Sequence, residues 1–317
     1  MKKIVFTLAL LAIMSEMFGQ ARYFSERYIY NQANIYPVLI NPGATGFNQD
    51  HLVMFNYRNK WASFEGSPKT VTFSYDGQVA DRLGFGALIV SDGYGELETT
   101  KGQIAFAYGI ESPTNKIGFG LSAEYIQHKV NGTAVANSFL DPVDPLLLKR
   151  LDGHNYFDAS FGLHGVFDNR LTYGLVFPGL VSSSLDDDED LTDRKFSYMV
   201  NLGYRLESEA NDIVATPGVA IKDLQGVPTF IELSLTLGLL EEKLTGGLNY
   251  SVGGDERLGF LLGLQINSLN FLYGYNISRH EFQDYNNGSH EITLAFNISG
   301  YSSKSAEEKK LEMMDDN

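Results

Sequence analysis

The chain has 317 residues, enough for one large all-β domain or two small domains, and it carries a formal net charge of -15 with no cysteine. The acidic balance argues against nucleic-acid binding, because a phosphate-binding surface is basic, and the missing cysteines exclude disulfides, thiolate metal sites, cysteine nucleophiles and lipoprotein acylation. Glycine, at 32 residues, is enriched, and with 18 tyrosines and 21 phenylalanines it indicates many strands and turns.

The first residues have the three-part pattern of a secretory signal peptide. Lys2 and Lys3 precede an apolar run over residues 4–14, and small or cleavable residues follow at 19–21. The apolar run is shorter than the roughly 20 residues that a transmembrane helix needs. We therefore predict a signal peptide over residues 1–19, with a cleavage site between residues 19 and 21, and export of the mature chain.

Residues 20–50 are rich in tyrosine and asparagine and contain the stretch YPVLINPGATG. We predict that this segment precedes a strand-rich region and does not belong to it. It lies either in the periplasm or inside the structure that the strands form, where it is long enough to act as a plug.

From His51 onward the apolar residues recur with a period of two, which is typical of β-strands. The stretch LGFGALIV from residue 83 puts large apolar side chains on one face and mostly small ones on the other. FSYMVNLGYRL from residue 196 and EITLAFNI from residue 291 repeat the alternation. A soluble sandwich also alternates, so the number and length of the segments must separate the two cases.

About fourteen such segments follow one another, each about 9 to 14 residues long. They begin near His51, Lys69, Arg82, Thr100, Lys116, His154, Arg170, Lys195, Asp212, Pro228, Glu242, Glu256, Leu269 and Gly288. Their length exceeds the usual 5 or 6 residues of soluble strands and suits a tilted membrane crossing. The predicted fold class is therefore all-β, a transmembrane antiparallel β-barrel of about 14 strands over residues 51–299. Glu124, Asp158 and Arg205 fall on its small, polar face, which is predicted to line the lumen.

The connections between these segments alternate in length. Tight links are predicted at residues 79–81, 112–115, 167–169, 208–211, 240–242 and 267–268, and longer ones at 59–68, 92–99, 130–153, 182–194 and 279–287. Short turns on one rim and long loops on the other are typical of an outer-membrane barrel, with the short turns in the periplasm. Both termini are then periplasmic, including the charged tail at residues 300–317, which is a short helix or disordered.

The polar residues contain no recognisable catalytic or metal-binding motif. The six histidines are His51, His128, His154, His164, His280 and His290, and none forms a zinc-protease pair. The adjacent pairs His280–Glu281 and His290–Glu291 are interpreted as polar rim residues, because neighbours on a strand point to opposite faces. The acidic run at residues 186–193 lacks EF-hand spacing and is interpreted as a solvated loop, with calcium binding as the alternative. We expect no catalytic residue, no cofactor and no metal site.

Several motifs in the same order resemble the PorP/SprF family of the type IX secretion and gliding-motility apparatus of Bacteroidetes. The matching residues are Asn41, Pro42, Gly43 and Gly46 in INPGATG, then Tyr57, Arg58, Asn59, Trp61, Gly66, Pro68 and Thr70 in YRNKWASFEGSPKT, then Gly288, His290 and Glu291 in NNGSHE. The resemblance covers nearly the whole mature chain. The chain departs from the family at Gly43 and Ala44, where an alanine followed by an aromatic residue is common, and in the tail after Tyr301.

The resemblance implies an outer-membrane barrel that works with the type IX machinery. Such a protein is either part of the core assembly or a dedicated partner in the secretion or surface anchoring of an adhesin with a type IX C-terminal sorting domain. The expected partners are machinery proteins, that adhesin and outer-membrane lipid, and the motif residues are possible partner contacts. The alternatives are a general porin or hydrophobic-substrate channel and, from a third class, a barrel hydrolase.

Overall fold

The computed structural model describes residues 30–48, 50–130, 153–181, 183–185, 196–208, 212–225, 228–253, 256–279 and 281–298. Several sequence predictions lie outside the described residues. They are the signal peptide at 1–19, most of the loop at 130–153, the acidic run at 186–193, His280 and the tail at 300–317.

Fourteen strands make up the wall of the structure. They are β1 (Leu52–Asn59), β2 (Lys69–Ala80), β3 (Leu83–Tyr94), β4 (Leu97–Glu111), β5 (Asn115–Val130), β6 (His154–Phe167), β7 (Leu171–Phe177), β8 (Tyr198–Tyr204, continued by Leu206–Ser208), β9 (Ile213–Asp223), β10 (Phe230–Leu239), β11 (Leu244–Val252), β12 (Arg257–Ile266), β13 (Leu269–Ser278) and β14 (Ser289–Asn297). A two-residue strand, Ser183–Ser184, pairs with β6 outside this series.

Each strand pairs antiparallel with its neighbours in sequence, and β1 pairs with β14. That last pairing closes the sheet, so the predicted transmembrane β-barrel of fourteen strands is confirmed. Closure leaves no unpaired sheet edge in the ring, which is what a wall in contact with lipid requires. None of the helices in the described ranges is long and apolar enough to cross a membrane.

The side chains alternate between an apolar exterior and a polar or small interior. On β2, Phe73 is 50% exposed while the neighbouring Thr72 is 1% exposed, and on β3 the values are 59% for Ile89 and 1% for Val90. Most large apolar side chains predicted to share the outer face at residues 196–206 and 291–298 are also exposed on the outside, while Tyr198 and Val200 are half-buried. The exterior is therefore a lipid-facing surface.

The connections fall on two rims. The short-turn rim carries the connections at residues 81–82, 112–114, 168–170, 209–212, 240–243 and 267–268, and the opposite, long-loop rim carries the others. The predicted long loop at 92–99 is wrong: β3 and β4 continue as a ladder in which Asp92 pairs with Thr99, and Gly95 makes the turn at φ 56°. Apolar alternation fades there although pairing continues, because strand residues beyond the lipid need no apolar outer face.

The predicted luminal charges are placed in two different environments. Glu124 and Asp158 are buried on the inner face, and Lys101 Nζ lies 2.7 Å from Glu124 Oε2. Arg205 interrupts β8 at the short-turn rim instead, where its guanidinium pairs with Glu242 at 2.6 Å. This guanidinium is partly exposed, so it belongs to the rim and not to the buried interior.

Candidate functional site

The N-terminal segment from Tyr30 to Phe47, here called the plug, lies inside the barrel. Its polar contacts reach strands all around the wall. They are Tyr30 Oη to Thr72 Oγ1 on β2 (3.1 Å), Asn249 Nδ2 on β11 to Asn31 O (3.3 Å), Asn41 Nδ2 to Leu163 O on β6 (2.9 Å) and Gly46 N to Asp76 Oδ1 on β2 (2.7 Å). Because these strands surround the lumen, the plug crosses it.

Two short 3-10 turns give the plug its shape, Pro37–Leu39 and Pro42–Ala44. A proline at the first position of each turn presets the backbone angle and needs no hydrogen-bond partner for its nitrogen. Asn41 caps the second turn, because its Oδ1 accepts a hydrogen bond from Gly43 N at 2.9 Å. The same side chain donates to the wall, so one buried residue both shapes the plug and attaches it.

Inward-facing glycines of the wall leave room for the plug backbone. A Cβ added to these glycines would lie 2.1 Å from Thr45 O at Gly84, 2.3 Å from Gly43 O at Gly118, 2.1 Å from Pro42 O at Gly120 and 2.2 Å from Asn41 Oδ1 at Gly162. Distances this short do not occur for real Cβ atoms. The small inner face of β3, β5 and β6 is therefore shaped to the plug.

The plug runs from the long-loop half of the lumen to the short-turn rim. Tyr30 lies near Arg58, one residue from the long-loop end of β1, with 5.9 Å between the guanidinium carbon and the ring centroid. Phe47 lies at the other end, where Lys116 Nζ, near the start of β5, is 4.9 Å from its ring centroid. Asn48 and Asp50 then lead directly into β1.

The closing strands bring two of the sequence motifs side by side. Tyr57, Arg58 and Asn59 on β1 are in register with Ile292, Glu291 and His290 on β14. Beyond the end of β1, Trp61 N donates to Ser289 Oγ at 3.2 Å, at the start of β14, and Ala62 N donates to Gly288 O at 2.7 Å. The motifs are more than 200 residues apart in sequence, yet they form one continuous patch at the long-loop rim.

On the inner side of this patch, Glu291 joins the wall to the plug. Its Oε1 accepts a hydrogen bond from Asn56 Nδ2 at 2.8 Å, and its Oε2 accepts one from the backbone nitrogen of Asn31 at 3.2 Å. Arg58 Nη2 donates to Thr70 Oγ1 at 3.3 Å. Burial raises the pKa of Tyr30, so its phenol stays neutral at physiological pH.

On the outer side, Trp61 stands on the loop between β1 and β2. Lys60 Nζ lies 4.6 Å from its ring centroid, and the Tyr94 ring packs against it edge-on at 6.2 Å. Trp61 adopts φ 54° and Gly66 φ 71°, which fold the loop back toward the barrel. An amphipathic indole at the rim of a barrel is typical of a membrane interface.

The predicted motif residues thus divide by position. Those buried in the lumen or in the plug are Asn41, Pro42, Arg58 and Glu291, and Gly46 is half-buried in the plug. The interpretation of Glu291 as a rim residue is therefore wrong, because its carboxylate is buried against the plug. Those at the long-loop rim are Asn59, Trp61, Gly66, Pro68 and Gly288, and those on the outer face are Tyr57 and His290. Asn59 Oδ1 accepts from Ser67 Oγ at 3.2 Å and Pro68 O accepts from Lys60 N at 2.9 Å, so both brace the Trp61 loop. His290 Nδ1 lies 2.7 Å from Tyr273 Oη on the neighbouring strand.

Sequence reasoning did not identify Thr72, Asp76 and the inward glycines as the wall residues that contact the plug. The clustering of small residues on one face of a strand was the only feature of the sequence that could have indicated the glycine contacts. Within the described residues, no group of three or more histidines, aspartates and glutamates is placed to hold a metal ion.

A closed sheet of fourteen strands with an apolar exterior and a polar, filled interior is a transmembrane β-barrel of the outer-membrane type. The chain belongs to the family described as type IX secretion system membrane protein PorP/SprF, which matches residues 22–296. No curated protein matches the chain.

Among solved structures, the chain is similar to Omp33 of Acinetobacter baumannii, with 7% identity over 80% of this chain and 100% of that chain and a TM-score of 0.46. It is also similar to a ΔS2S3 mutant of the monoaromatic hydrocarbon channel TodX, with 12% identity over 84% and 93% of the two chains and a TM-score of 0.48. Likeness at this level carries no information on ligands or partners.

Proposed function

We propose that this barrel serves type IX secretion by binding, without catalysis, and that it is needed for the secretion or surface anchoring of a partner protein. The partner is a machinery component or an adhesin with a type IX C-terminal sorting domain, displayed at the cell surface and used in gliding. The family membership and the motif patch at one rim support this proposal.

The observation that carries the proposal is the pair of cross-bonded loops at the long-loop rim. In outer-membrane barrels the longer loops are extracellular. Here Trp61 and its loop are tied through backbone hydrogen bonds to the Gly288 loop, on strands whose register is fixed by pairing. A partly exposed aromatic residue on such a rigid support is the usual anchor of a protein interface.

The rival function is a porin or a hydrophobic-substrate channel. A standing diffusion channel requires an open lumen, whereas this lumen holds a plug that contacts the wall through backbone atoms at Gly84, Gly118, Gly120 and Gly162. Such close contact favours binding at the rim over permeation through the barrel.

Deletion of the gene tests the proposal. We expect the partner to disappear from the medium or from the cell surface, while vancomycin sensitivity stays at the wild-type level because the protein is not an open pore. A plasmid copy of the gene is the control and restores the partner. Loss of every type IX cargo would identify a core component, and loss of one cargo a dedicated partner. Normal export of all cargo in the deletion strain would contradict the proposal.

A further inference from the structure

We propose that the plug is a releasable seal of a pore and that its release is controlled from the extracellular side, through the strand pair that closes the barrel. This inference goes beyond the proposed function, because it concerns passage through the lumen and not the binding of a partner at the rim. It rests on how the plug fills the lumen, on where it is held, and on what touches the holding residues.

Between Tyr30 and Ile40 the plug is packed closely enough to seal. Tyr30, Ala33 and Leu39 are buried against Met54, Leu88, Val90 and Ala295 of the wall. A cavity beside Ile40 has a volume of about 20 Å³, which is about the space of a single water. A larger cavity of about 220 Å³ lies at the short-turn end of the plug, beside Phe47, Arg82 and Lys116. Removing eighteen residues from a barrel of this size would leave an interior that side chains alone do not fill, since barrels of more than about eight strands enclose cavities or channels.

The two ends of the plug are held differently. The end at Gly46 leads directly into β1, and its backbone lies against Gly84, so covalent continuity keeps it in place. The other end is held by side chains. Glu291 accepts from Asn31 N at 3.2 Å, and the Arg58 guanidinium lies over the ring of Tyr30. The hydrogen bonds of Tyr30 with Thr72 and of Asn31 with Asn249 hold the same end. Release of the plug therefore begins at Tyr30 and Asn31, and the Gly46 end acts as the hinge.

Two of the residues that hold the Tyr30 end, Arg58 and Glu291, connect directly to the extracellular loops. Ser289, two residues before Glu291, accepts the hydrogen bond of Trp61 N, and Trp61 follows Arg58 by three residues. Arg58 and Glu291 therefore continue into the same cross-bonded loop pair. A ligand that pulls the Trp61 loop away from the Gly288 loop would shift Arg58 and Glu291 in the same movement, and each belongs to one of the two closing strands.

Conductance of the purified full chain in planar lipid bilayers tests this inference. We expect the wild type to show almost no steady current. Glu291→Ala removes the acceptor of Asn31 N, and losing a hydrogen bond to a charged group shifts a two-state equilibrium by roughly ten- to a hundredfold. The open fraction should rise by that factor. Tyr30→Ala weakens the same end from the plug side and should act in the same direction if Glu291→Ala fails to fold.

Glu98→Ala is the matched control. Glu98 is also an ion-paired carboxylate near the long-loop rim, 3.2 Å from Lys129 Nζ, but its side chain is 40% exposed. This variant should conduct like the wild type. Migration of the unheated protein in a gel checks that each variant forms the barrel.

An engineered disulfide links the current to the plug itself. A Cβ added to Gly274 lies 3.2 Å from Asn31 Cβ, close to the separation of about 3.5 to 4.5 Å that disulfides show. The chain has no other cysteine, so Asn31→Cys with Gly274→Cys can form only this intramolecular bridge. Placed in the Glu291→Ala background, the oxidised bridge should return the conductance to the wild-type level, and a reductant should restore the current.

Three results would overturn the inference. A large steady current through the wild type would mean that the plug does not seal. Unchanged conductance in Glu291→Ala and Tyr30→Ala, both folded, would mean that this end does not control the plug. A current in Glu291→Ala that persists with the bridge oxidised would mean that ions pass through a damaged wall and not along the path of the plug.

Discussion

Arg58 and Glu291 lie directly opposite each other on the two strands that close the barrel, and both are buried in the lumen. Arg58 lies over the Tyr30 ring and Glu291 binds the backbone of Asn31. Both residues are therefore shielded from any partner outside the barrel. The charged groups of these two strands are directed at the plug, whereas Trp61, three residues after Arg58, is partly exposed at the rim.

The inward-facing wall glycines that contact the plug backbone should not tolerate a side chain. Gly120→Ala places a methyl group 2.1 Å from Pro42 O, and overpacking of this kind costs about 1–3 kcal/mol. We expect a fall of that size in the free energy of unfolding in urea. Gly109→Ala is the control, because its new Cβ meets nothing closer than Arg82 O at 3.7 Å. Equal stability of the two variants would show that the plug yields freely at Gly120.

Removing one charge of the buried pair Lys101–Glu124 should lower the stability of the barrel more than replacing both charges with neutral side chains. Glu124 also accepts from Ser160 Oγ at 2.8 Å, and Lys101→Met alone leaves this carboxylate without its counter-charge. We expect a cost of about 3–5 kcal/mol for the single change. Lys101→Met combined with Glu124→Gln should cost clearly less, and urea unfolding of all four members of the cycle measures the difference. Strict additivity would mean that the two charges do not interact.

Docking of the plug should weaken at high pH. Burial raises the pKa of Tyr36 to about 12, against a smaller lowering by its hydrogen bond with Asn270. A free tyrosine ionises near pH 10, so the released plug loses its proton first, and the docked state loses stability as the pH rises from about 10 to about 12. The docked state is unaffected below pH 10, where both forms are protonated.

Conductance between pH 9 and pH 11.5 measures this effect. Above pH 10 each pH unit costs up to about 1.4 kcal/mol per tyrosine, so each of the two tyrosines should raise the open fraction by up to about tenfold per unit. Tyr30 has its pKa raised in the same direction, and the control is therefore Tyr30→Phe with Tyr36→Phe. A wild-type profile identical to that of the double variant would refute the assignment.

Trp61 should matter for the partner and not for the barrel. Truncating an aromatic anchor commonly costs 2 kcal/mol or more of binding energy, about 30-fold in affinity. We expect Trp61→Ala to reduce surface display of the partner while the amount of folded barrel stays constant, both measured by immunoblotting. Ile266→Ala, an exposed apolar residue at the short-turn rim, should leave display unchanged. Loss of folded barrel in Trp61→Ala would show that Trp61 stabilises the barrel and would contradict its assignment as a partner contact.

The wall could be predicted from the sequence because its pattern is local. Lipid on one side requires every second residue of a strand to be apolar, so the alternation alone predicts strands at residues 83–90 and 291–298. The sequence predicts too short a β3–β4 hairpin for the same reason. Asp92, Gly93 and Glu98 are paired in the ladder, but they lack the apolar alternation.

The plug could not be predicted in the same way. Residues 30–47 have no period, and their contacts join Asn31 to Asn249 and Asn41 to Leu163, far apart in sequence. The glycines at 84, 118, 120 and 162 appear in the sequence only as small residues on an inner face. These glycines are needed because the plug backbone lies against them, and the plug meets the wall only in the folded barrel.

Photo-crosslinking in living cells tests the central claim most directly. A photoreactive amino acid at position 61 should trap the secreted or anchored partner as a larger band, whereas the same amino acid at Ser112, on the short-turn rim, or at Phe296, on the lipid face, should not. Crosslinks to the partner from position 112 with none from position 61 would contradict the account, because the partner would then bind the opposite rim of the barrel.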